Sequence, residues 1–332
     1  MQHKSKQRAD TLSVMERAGR TLPTPNGVGK VRRQPRRSRR ESAVPLAFLL
    51  PVLAFSVLFF VYPLAKNIQV SLQDFNLSSL YTGRAPYVGL RNYEHLWHDP
   101  VFRTATGNTI EFTLLSIVFQ LTAGLGLAIF FARHFPLNAL LRSLLLVPWL
   151  LPLVVSGTVF RWMLDTNNGI INHVLLDLHV VHTPVPWLTG YHTAMVGVLL
   201  CNIWIGVPFN MVILYGGLQA ISPDLYEASA LDGAGSFQQF RYITLPMLRP
   251  VLLVVTTLGL IYTLKIFDVI WVLTKGGPAN ATQNLTTYGY QLSFGGLSQF
   301  GRGAAVGNVL IVVCVGLSLI YLRMLRTERE VR

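Results

Sequence analysis

The amino-acid sequence predicts an all-α, polytopic membrane protein with six membrane-spanning helices. Only 13% of the 332 residues are charged, whereas soluble domains carry about 25%, and the mean hydropathy is +0.44. Six segments are apolar over the roughly 20 residues that a membrane-spanning helix needs. In chain order they cover approximately residues 45–66, 106–131, 142–163, 192–218, 250–273 and 304–324.

Basic residues are distributed unevenly between alternate loops of this arrangement. The N-terminal tail and the loops on its side carry 20 Lys or Arg, and the opposite loops carry five. Because short loops rich in Lys and Arg stay in the cytoplasm, this asymmetry predicts that both chain termini are cytoplasmic.

We predict four segments along the chain. Residues 1–43 hold twelve Lys or Arg and three acidic residues without apolar periodicity, which predicts a disordered basic cytoplasmic tail near the lipid bilayer. Nucleic acid is not an expected partner, because no folded nucleic-acid-binding motif accompanies the basic run. Residues 44–104 form the first span and an outer loop, 105–325 the membrane core, and 326–332 a cytoplasmic C-terminus.

The sequence carries no recognisable catalytic, nucleotide-binding or metal-binding pattern. GVGK at 27–30 lacks two requirements of a phosphate-binding loop, since Thr24 replaces its first glycine and Val31 its Ser or Thr. Cys201 and Cys314 both lie in apolar segments and form neither a metal site nor a disulfide framework. We therefore expect neither an enzyme nor a cofactor bound by this chain.

A polar insertion, EASALDGAGSFQQFRYITLPMLRP at 227–250, separates the fourth and fifth spans. Ser222 and Pro223 are typical of a helix start, and Gly233 of a helix end in the left-handed region. Ser236 and Gln239 predict a capping box at the start of a second helix.

The second helix of the insertion is expected to be short. Phe237, Phe240 and Ile243 mark its apolar side, Pro246 ends the unit, and Pro250 begins the fifth span. Taken alone, the two helices either present a rigid surface to a cytoplasmic partner or merely connect two spans.

The insertion resembles the EAA loop of the permease subunits of binding-protein-dependent ABC importers. The similarity rests on a fixed spacing of residues at 227–229, 232–234, 240, 243, 245–246 and 250, within a loop that we place at 220–250. Ser229 departs from the alanine of the motif, but it is small and should be tolerated. In that family the loop docks on a cytoplasmic ATPase. The resemblance therefore implies an ATPase-coupling role for Glu227, Ala228, Ser229, Asp232, Gly233, Ala234, Phe240, Ile243, Leu245 and Pro246.

The resemblance covers about residues 45–325. VGLRNYEHLWHDPVF, VPWLLPLVVSGTVFRWML and IFDVIWVLTKGGPANAT are similar to carbohydrate permeases of the maltose and glycerol-phosphate types. This implies the type I importer permease fold, the inner membrane of a prokaryote, and sugar import by alternating access. The implied partners are a second permease subunit, an ABC ATPase dimer that binds ATP and Mg²⁺, and an extracytoplasmic solute-binding protein.

Polar residues inside predicted spans are candidates for the substrate path, because they are costly in a bilayer. They are Asn202, Trp204, Asn210, Lys265 and Asp268. Hydrogen bonding between helices is an equally good explanation for each asparagine. Lys265 and Asp268, three residues apart, either pair on one helical face or reach the outer surface.

Other functions remain open from the residues alone. Within the family, the alternative is a permease for an amino acid, a peptide or glycerol phosphate. An ion-coupled secondary carrier would need a buried acid, for which Asp268 is the central candidate, and an inverted repeat that we do not find. A channel or scaffold would leave the insertion without a purpose.

Overall fold

A computed structural model of the protein describes residues 39–330 and the side chains of residues 48–324. The described part of the chain divides into two units, with the boundary between Val57 and Leu58. Within the described residues, the only departure from helix and loop is a single antiparallel bridge between Gln73 and Tyr87. The predicted all-α fold class is confirmed.

The helices are numbered here in chain order. They are α1 (Arg39–Ser56), α2 (Tyr62–Ser71), α3 (Leu77–Thr82), α4 (Arg91–His98), α5 (Pro100–Phe131), α6 (Asn138–Leu145), α7 (Val147–Leu150), α8 (Leu153–Met163), α9 (Ile170–Asp177), α10 (Ala194–Gln219), α11 (Pro223–Leu231), α12 (Ser236–Gln239), α13 (Leu245–Leu264), α14 (Asp268–Leu273), α15 (Leu285–Phe294) and α16 (Phe300–Glu330). Two π-helical segments, Val57–Val61 and Phe240–Thr244, join α1 to α2 and α12 to α13.

The first described helix begins at Arg39, so its first residues fall within the predicted basic tail. Residues 1–38 lie outside the described residues, and the disorder of the tail stays a prediction. The last described helix, α16, continues to Glu330 through most of the predicted C-terminal segment.

In the part of the chain that the structure describes, five helical runs are long and apolar enough to cross a membrane, and one bent pair adds a sixth span. The runs are Phe48–Ser71, Pro100–Phe131, Ala194–Gln219, Ser236–Leu264 and Phe300–Met324, and the pair is Asn138–Leu150 with Leu153–Met163. The six predicted spans are present when the bent pair counts as one, but the third and fifth differ from their predicted form.

The third span is bent by 96° between Leu150 and Leu153. Leu151 adopts an extended conformation (φ −72°, ψ 144°) and Pro152 follows it. A residue before proline avoids the helical region because the proline ring clashes with its backbone. The continuous helix predicted for 142–163 is therefore broken at its centre.

The fifth span starts earlier and ends earlier than residues 250–273. Its helix runs from Ser236 to Leu264, so Pro246 does not end the insertion and Pro250 does not begin the span. The π-helical segment Phe240–Thr244 precedes these prolines, and such wider turns are one means by which a helix accommodates residues without an N–H. The helix stops at Leu264, and α14 begins after a three-residue break.

The helices α5 and α10 form the central pair, and α13 packs on both. Their close approach depends on small residues, as expected where apolar lipid gives no hydrophobic driving force. A Cβ atom on Gly124 of α5 would lie 2.7 Å from the Cβ of Asn210 on α10, and Ala128 one turn later is fully buried. Gly124 and Ala128 therefore form a small-residue surface of α5 that packs against α10.

Outside this central pair, α16 packs on α2, α4 and α15, and a polar cluster joins it to α2 and α4. The Nδ2 of Asn67 donates to Oδ1 of Asn308 at 2.7 Å, and the Nδ2 of Asn308 donates to the hydroxyls of Ser71 (2.9 Å) and Tyr93 (3.0 Å). Side-chain amides that satisfy each other in this way join helices specifically at low dielectric.

A second polar link fixes α15 to the start of α5. Asp99 caps α5 by accepting from the N–H of Val101 at 2.8 Å, and it accepts from the hydroxyl of Tyr288 at 2.5 Å. Burial and the hydrogen bond to Asp99 raise the pKa of Tyr288 above its ordinary value, so its hydroxyl stays protonated and donates.

Candidate functional site

A cavity of about 550 Å³ lies between α5, α10 and the break that follows α13. Its walls are both polar and aromatic. The lining residues are Gln120, Trp149, Leu151, Pro152, Leu153, Asn202, Ile205, Gly206, Phe209, Asn210, Gly259, Tyr262, Thr263, Lys265, Ile266, Phe267 and Asp268. The cavity therefore gathers residues from the second to the fifth span.

The structure brings four of the five predicted path residues to this cavity: Asn202, Asn210, Lys265 and Asp268. Trp204 lies elsewhere, 40% exposed, with its ring packed on Phe160 at a centroid distance of 5.3 Å. Two residues along an α-helix turn the side chain by about 200°, so Trp204 faces away from the side that Asn202 presents. Trp204 therefore does not line this cavity, and its place in the substrate path stays a prediction.

Three amide side chains in the wall use their NH₂ groups inside the protein. The Nε2 of Gln120 donates to the carbonyl of Asn202 at 3.0 Å, and the Nδ2 of Asn210 donates to the carbonyl of Gly206 at 2.8 Å. The Nδ2 of Asn202 contacts the hydroxyl of Ser116 at 2.8 Å. The interhelical hydrogen bonding foreseen for these asparagines thus coexists with their position in the wall, and the amide oxygens remain as acceptors for a ligand.

Gln120 was not among the predicted path residues. The available signal was the same as for the asparagines, namely an amide inside an otherwise apolar span. The Gln120 side chain is buried where α5 and α10 approach each other at Gly206. A Cβ atom at position 206 would overlap the Gln120 amide, so this close approach requires glycine.

The two charged residues of the wall do not share a helical face. Lys265 is the first residue of the break that follows α13, and Asp268 is the first residue of α14. The Nζ of Lys265 lies 4.9 Å from the centroid of the Tyr262 ring, a cation–π contact. Among the side chains that the structure describes, no ion pair within 4.0 Å joins Lys265 to Asp268, so the predicted pairing is wrong.

The break itself is held from α15. The carbonyl of Ile266 accepts from Oγ1 of Thr286 at 2.6 Å and from Nδ2 of Asn284 at 2.8 Å. A carbonyl left without its helical partner inside a membrane protein needs such donors. Asn284 also caps α15 by accepting from the N–H of Thr287 at 2.9 Å. These residues follow the fifth span in sequence, and no local signal connected them with the cavity.

Aromatic rings form one side of the cavity. The Trp149 and Phe209 rings lie 5.5 Å apart, and the Phe209 and Tyr262 rings 6.3 Å apart, between centroids. Such a row offers flat apolar faces beside the amide acceptors.

The insertion has the predicted helix–turn–helix form, with differences in its caps. Gly233 has φ +82°, the left-handed conformation expected where α11 ends. Ser222 precedes α11, but its hydroxyl contacts Asp224 at 3.2 Å and makes no cap. The capping box predicted for Ser236 and Gln239 does not form. One residue earlier, the N–H of Gly235 donates to Oε1 of Gln238 at 2.9 Å, but Gly235 has no side chain to complete a box.

The residues predicted to couple to an ATPase occupy the surface of this insertion. Glu227, Ala228, Asp232, Gly233 and Pro246 are exposed, and the other members are half-buried, namely Ser229, Ala234, Phe240, Ile243 and Leu245.

Large apolar side chains project from the same insertion. Leu231 is 90% exposed and Phe237 is 76% exposed. Of the three residues predicted to mark the apolar side of the second helix, Phe237 is exposed, and Phe240 and Ile243 are half-buried. Exposed apolar residues beside a polar rim are typical of protein–protein interfaces.

Comparison with known proteins decides the family. The family model described as binding-protein-dependent transport system inner membrane component matches residues 120–327. The chain belongs to this family. It is thus a multi-pass transport component of the inner membrane. The polar insertion and the whole cavity wall lie inside the matched region.

Several curated relatives match nearly the whole chain. The trehalose/maltose transport system permease protein MalF of Thermococcus litoralis is 32% identical over 291 residues, which is 88% of this chain and 96% of the relative. The sulfoquinovosyl glycerol transport system permease protein SmoG of Agrobacterium fabrum is 34% identical, over 84% of this chain and 89% of the relative. The lactose transport system permease protein LacF of Rhizobium radiobacter is 32% identical, over 82% and 91%.

A solved structure confirms the type I importer permease fold. A chain of a bacterial ABC transporter involved in the import of the acidic polysaccharide alginate superimposes with a TM-score of 0.73. The alignment covers 87% of this chain and 96% of that chain at 22% identity, a level at which the likeness concerns the fold alone.

Proposed function

We propose that this chain is the membrane-spanning permease subunit of an ATP-driven, binding-protein-dependent sugar importer. It would form half of the translocation pathway beside a second permease subunit and work by alternating access. A solute-binding protein would deliver the sugar outside, and an ABC ATPase dimer carrying ATP and Mg²⁺ would act on the cytoplasmic side. In this arrangement both chain termini are cytoplasmic.

The cavity chemistry is the observation that carries the sugar assignment. A sugar has hydroxyl donors around its edge and apolar C–H faces. The amide oxygens of Gln120, Asn202 and Asn210 suit the donors, and the row from Trp149 to Tyr262 suits the faces. The transport of trehalose, maltose and lactose by relatives of similar length agrees with this class.

An anionic solute such as glycerol phosphate is the second candidate. Lys265 lines the cavity and its ammonium group is not paired with Asp268, so it could neutralise a phosphate. The acceptor-rich amides of the opposite wall favour the neutral sugar.

The exposed insertion supports coupling to a separate ATPase. Leu231 and Phe237 give it an apolar contact surface, and Glu227 and Asp232 give it an acidic rim. The helix that ends at the left-handed Gly233 holds Glu227 and Leu231 in fixed positions between the fourth and fifth spans.

Co-purification from native membranes in mild detergent tests this proposal. An ATPase subunit is expected to purify with the wild type and to be lost or uncoupled with Glu227→Ala and Gly233→Ala, because alanine is strained at φ +82°. Gly235→Ala is the matched control, since Gly235 has φ −74° and open space around its Cβ position. A chain that purifies alone and still moves solute without ATP would refute the importer and favour an ion-coupled carrier.

A further inference from the structure

Four side chains tie the first helix of the insertion to the start of the fifth span. The Nε2 of Gln239 donates to the carbonyl of Tyr226 at 3.2 Å and to the hydroxyl of Ser229 at 3.0 Å. The hydroxyls of Tyr226 and Thr244 are 3.0 Å apart. The helix α11 therefore contacts the 236–264 helix at two positions, Gln239 and Thr244, which are five residues apart.

Ser229 has a specific place in this arrangement. It stands where the EAA motif has alanine, and its hydroxyl donates to the carbonyl of Tyr226 at 2.9 Å while accepting from Gln239. An alanine could make neither contact. The departure from the motif thus adds a hydrogen bond between the two helices of the insertion.

The attachment point on the fifth span is the π-helical segment Phe240–Thr244. Gln239 immediately precedes this segment, and Thr244, its last residue, is buried. Single-turn π segments are local irregularities that frequently occur at functional sites. Here the irregular turn places Thr244 opposite the Tyr226 hydroxyl.

From this turn a single helical run leads to the cavity. The run Ser236–Leu264 contains 29 residues, a length of about 43 Å at 1.5 Å per residue. Its far end carries Tyr262, and the break after it carries Lys265, both of which line the cavity. Motion of α11 therefore reaches the Tyr262 side of the cavity wall along this run when α11 and the start of the run stay together.

We propose that Tyr226, Ser229, Gln239 and Thr244 form a strut that makes the insertion and the fifth spanning helix move as one body. These are positioning residues, since none of them lines the cavity and all four are buried or half-buried. The inference rests on the proposed function, because it concerns how motion of a bound ATPase reaches the cavity.

A cysteine reporter in the cavity wall measures this transmission without knowledge of the substrate. Tyr262→Cys, in a chain with Cys201→Ala and Cys314→Ala, is treated with the thiol reagent MTSET in the purified complex. The modification rate is compared between the nucleotide-free state and the state trapped with ATP and orthovanadate. The same reporter is placed in wild type, Gln239→Leu, Tyr226→Phe and Ser229→Ala chains.

In the wild type the trapped state changes the modification rate. In Gln239→Leu and Tyr226→Phe, the difference in modification rate between the two nucleotide states is expected to shrink by about three- to tenfold. This is the range expected for the loss of one or two hydrogen bonds. The ATPase should stay bound and hydrolyse ATP in both variants. Ser229→Ala, which restores the motif residue, should give a smaller effect. Gln238→Leu is the matched control, since it removes only the cap at Gly235 and should leave the change intact.

Three results separate failure of the strut from failure of the importer. An unchanged rate difference in both Gln239→Leu and Tyr226→Phe would overturn the strut. Loss of the ATPase from those two variants alone would overturn it as well, because the contacts would then serve docking and not transmission. Absence of an ATPase from the wild-type preparation would instead refute the proposed function.

Discussion

The contact between α5 and α10 at Gly124 gives the most direct test of how the membrane core is packed. In Gly124→Ala the new Cβ would lie 2.7 Å from Asn210 Cβ and 3.1 Å from the backbone nitrogen of Met211. Because the second neighbour is backbone, the helices must separate, and overpacking of this kind costs about 1–3 kcal/mol. Alanine recovers about 0.5–1 kcal/mol through its helix propensity, so we expect a net loss of about 1–2 kcal/mol.

Gly126→Ala is the control for this prediction. Gly126 lies two residues along the same helix, and a Cβ there would meet nothing within 4 Å. It should therefore gain about 0.5–1 kcal/mol from propensity alone. The assay is the thermal unfolding midpoint of the purified chain in one detergent, where the two variants should shift in opposite directions by a few degrees, with about 2–4 °C per kcal/mol. A Gly124→Ala midpoint equal to or above that of Gly126→Ala would refute the packing described for the central pair.

Three further predictions concern the insertion, the break and the outer helices. Leu231→Ser with Phe237→Ser should weaken binding of the ATPase by at least about tenfold in a titration, since each buried side chain contributes about 1.5–3 kcal/mol. Thr286→Val should remove one of two donors to the carbonyl at the break and change the KM for substrate more than the expression level, at a cost of about 1–3 kcal/mol. Tyr288→Phe should lose about 1.5–3 kcal/mol of stability with its hydrogen bond to Asp99, measured as a lower thermal midpoint.

Each of these predictions has a clear contradictory result. Unchanged binding of the ATPase by the double serine variant would exclude that surface as the docking site. Thr257→Val removes a hydroxyl bond within α13 and is the control for Thr286→Val, so equal effects on KM would contradict the role of the break. Tyr290→Phe keeps its ring contacts and is the control for Tyr288→Phe, and equal midpoints would contradict the Asp99 link.

The sequence predicted the number of spans because span length and apolar composition are local properties. It failed at the ends of the fifth span, because Pro250 is a strong local signal that the π-helical turn before it overrides. It also missed the bend in the third span, although Pro152 was visible, because prolines are tolerated in many spanning helices.

The cavity was predicted in part. Asn202 and Asn210 could be found because an amide in an apolar segment is conspicuous, and the same rule also selected Trp204, which does not line the cavity. The donors to Ile266 could not be found, since Thr286 approaches it only after the chain has turned back on the break.

Uptake of labelled sugars by intact cells tests the central proposal most directly. Cells lacking this chain should lose ATP-dependent uptake of at least one neutral di- or oligosaccharide. The wild type should restore it, and Asn202→Leu, expressed at the same level, should not. The assignment of this chain as a sugar permease would be contradicted if the deleted strain took up all neutral sugars at the wild-type rate and lost uptake of a different class of solute.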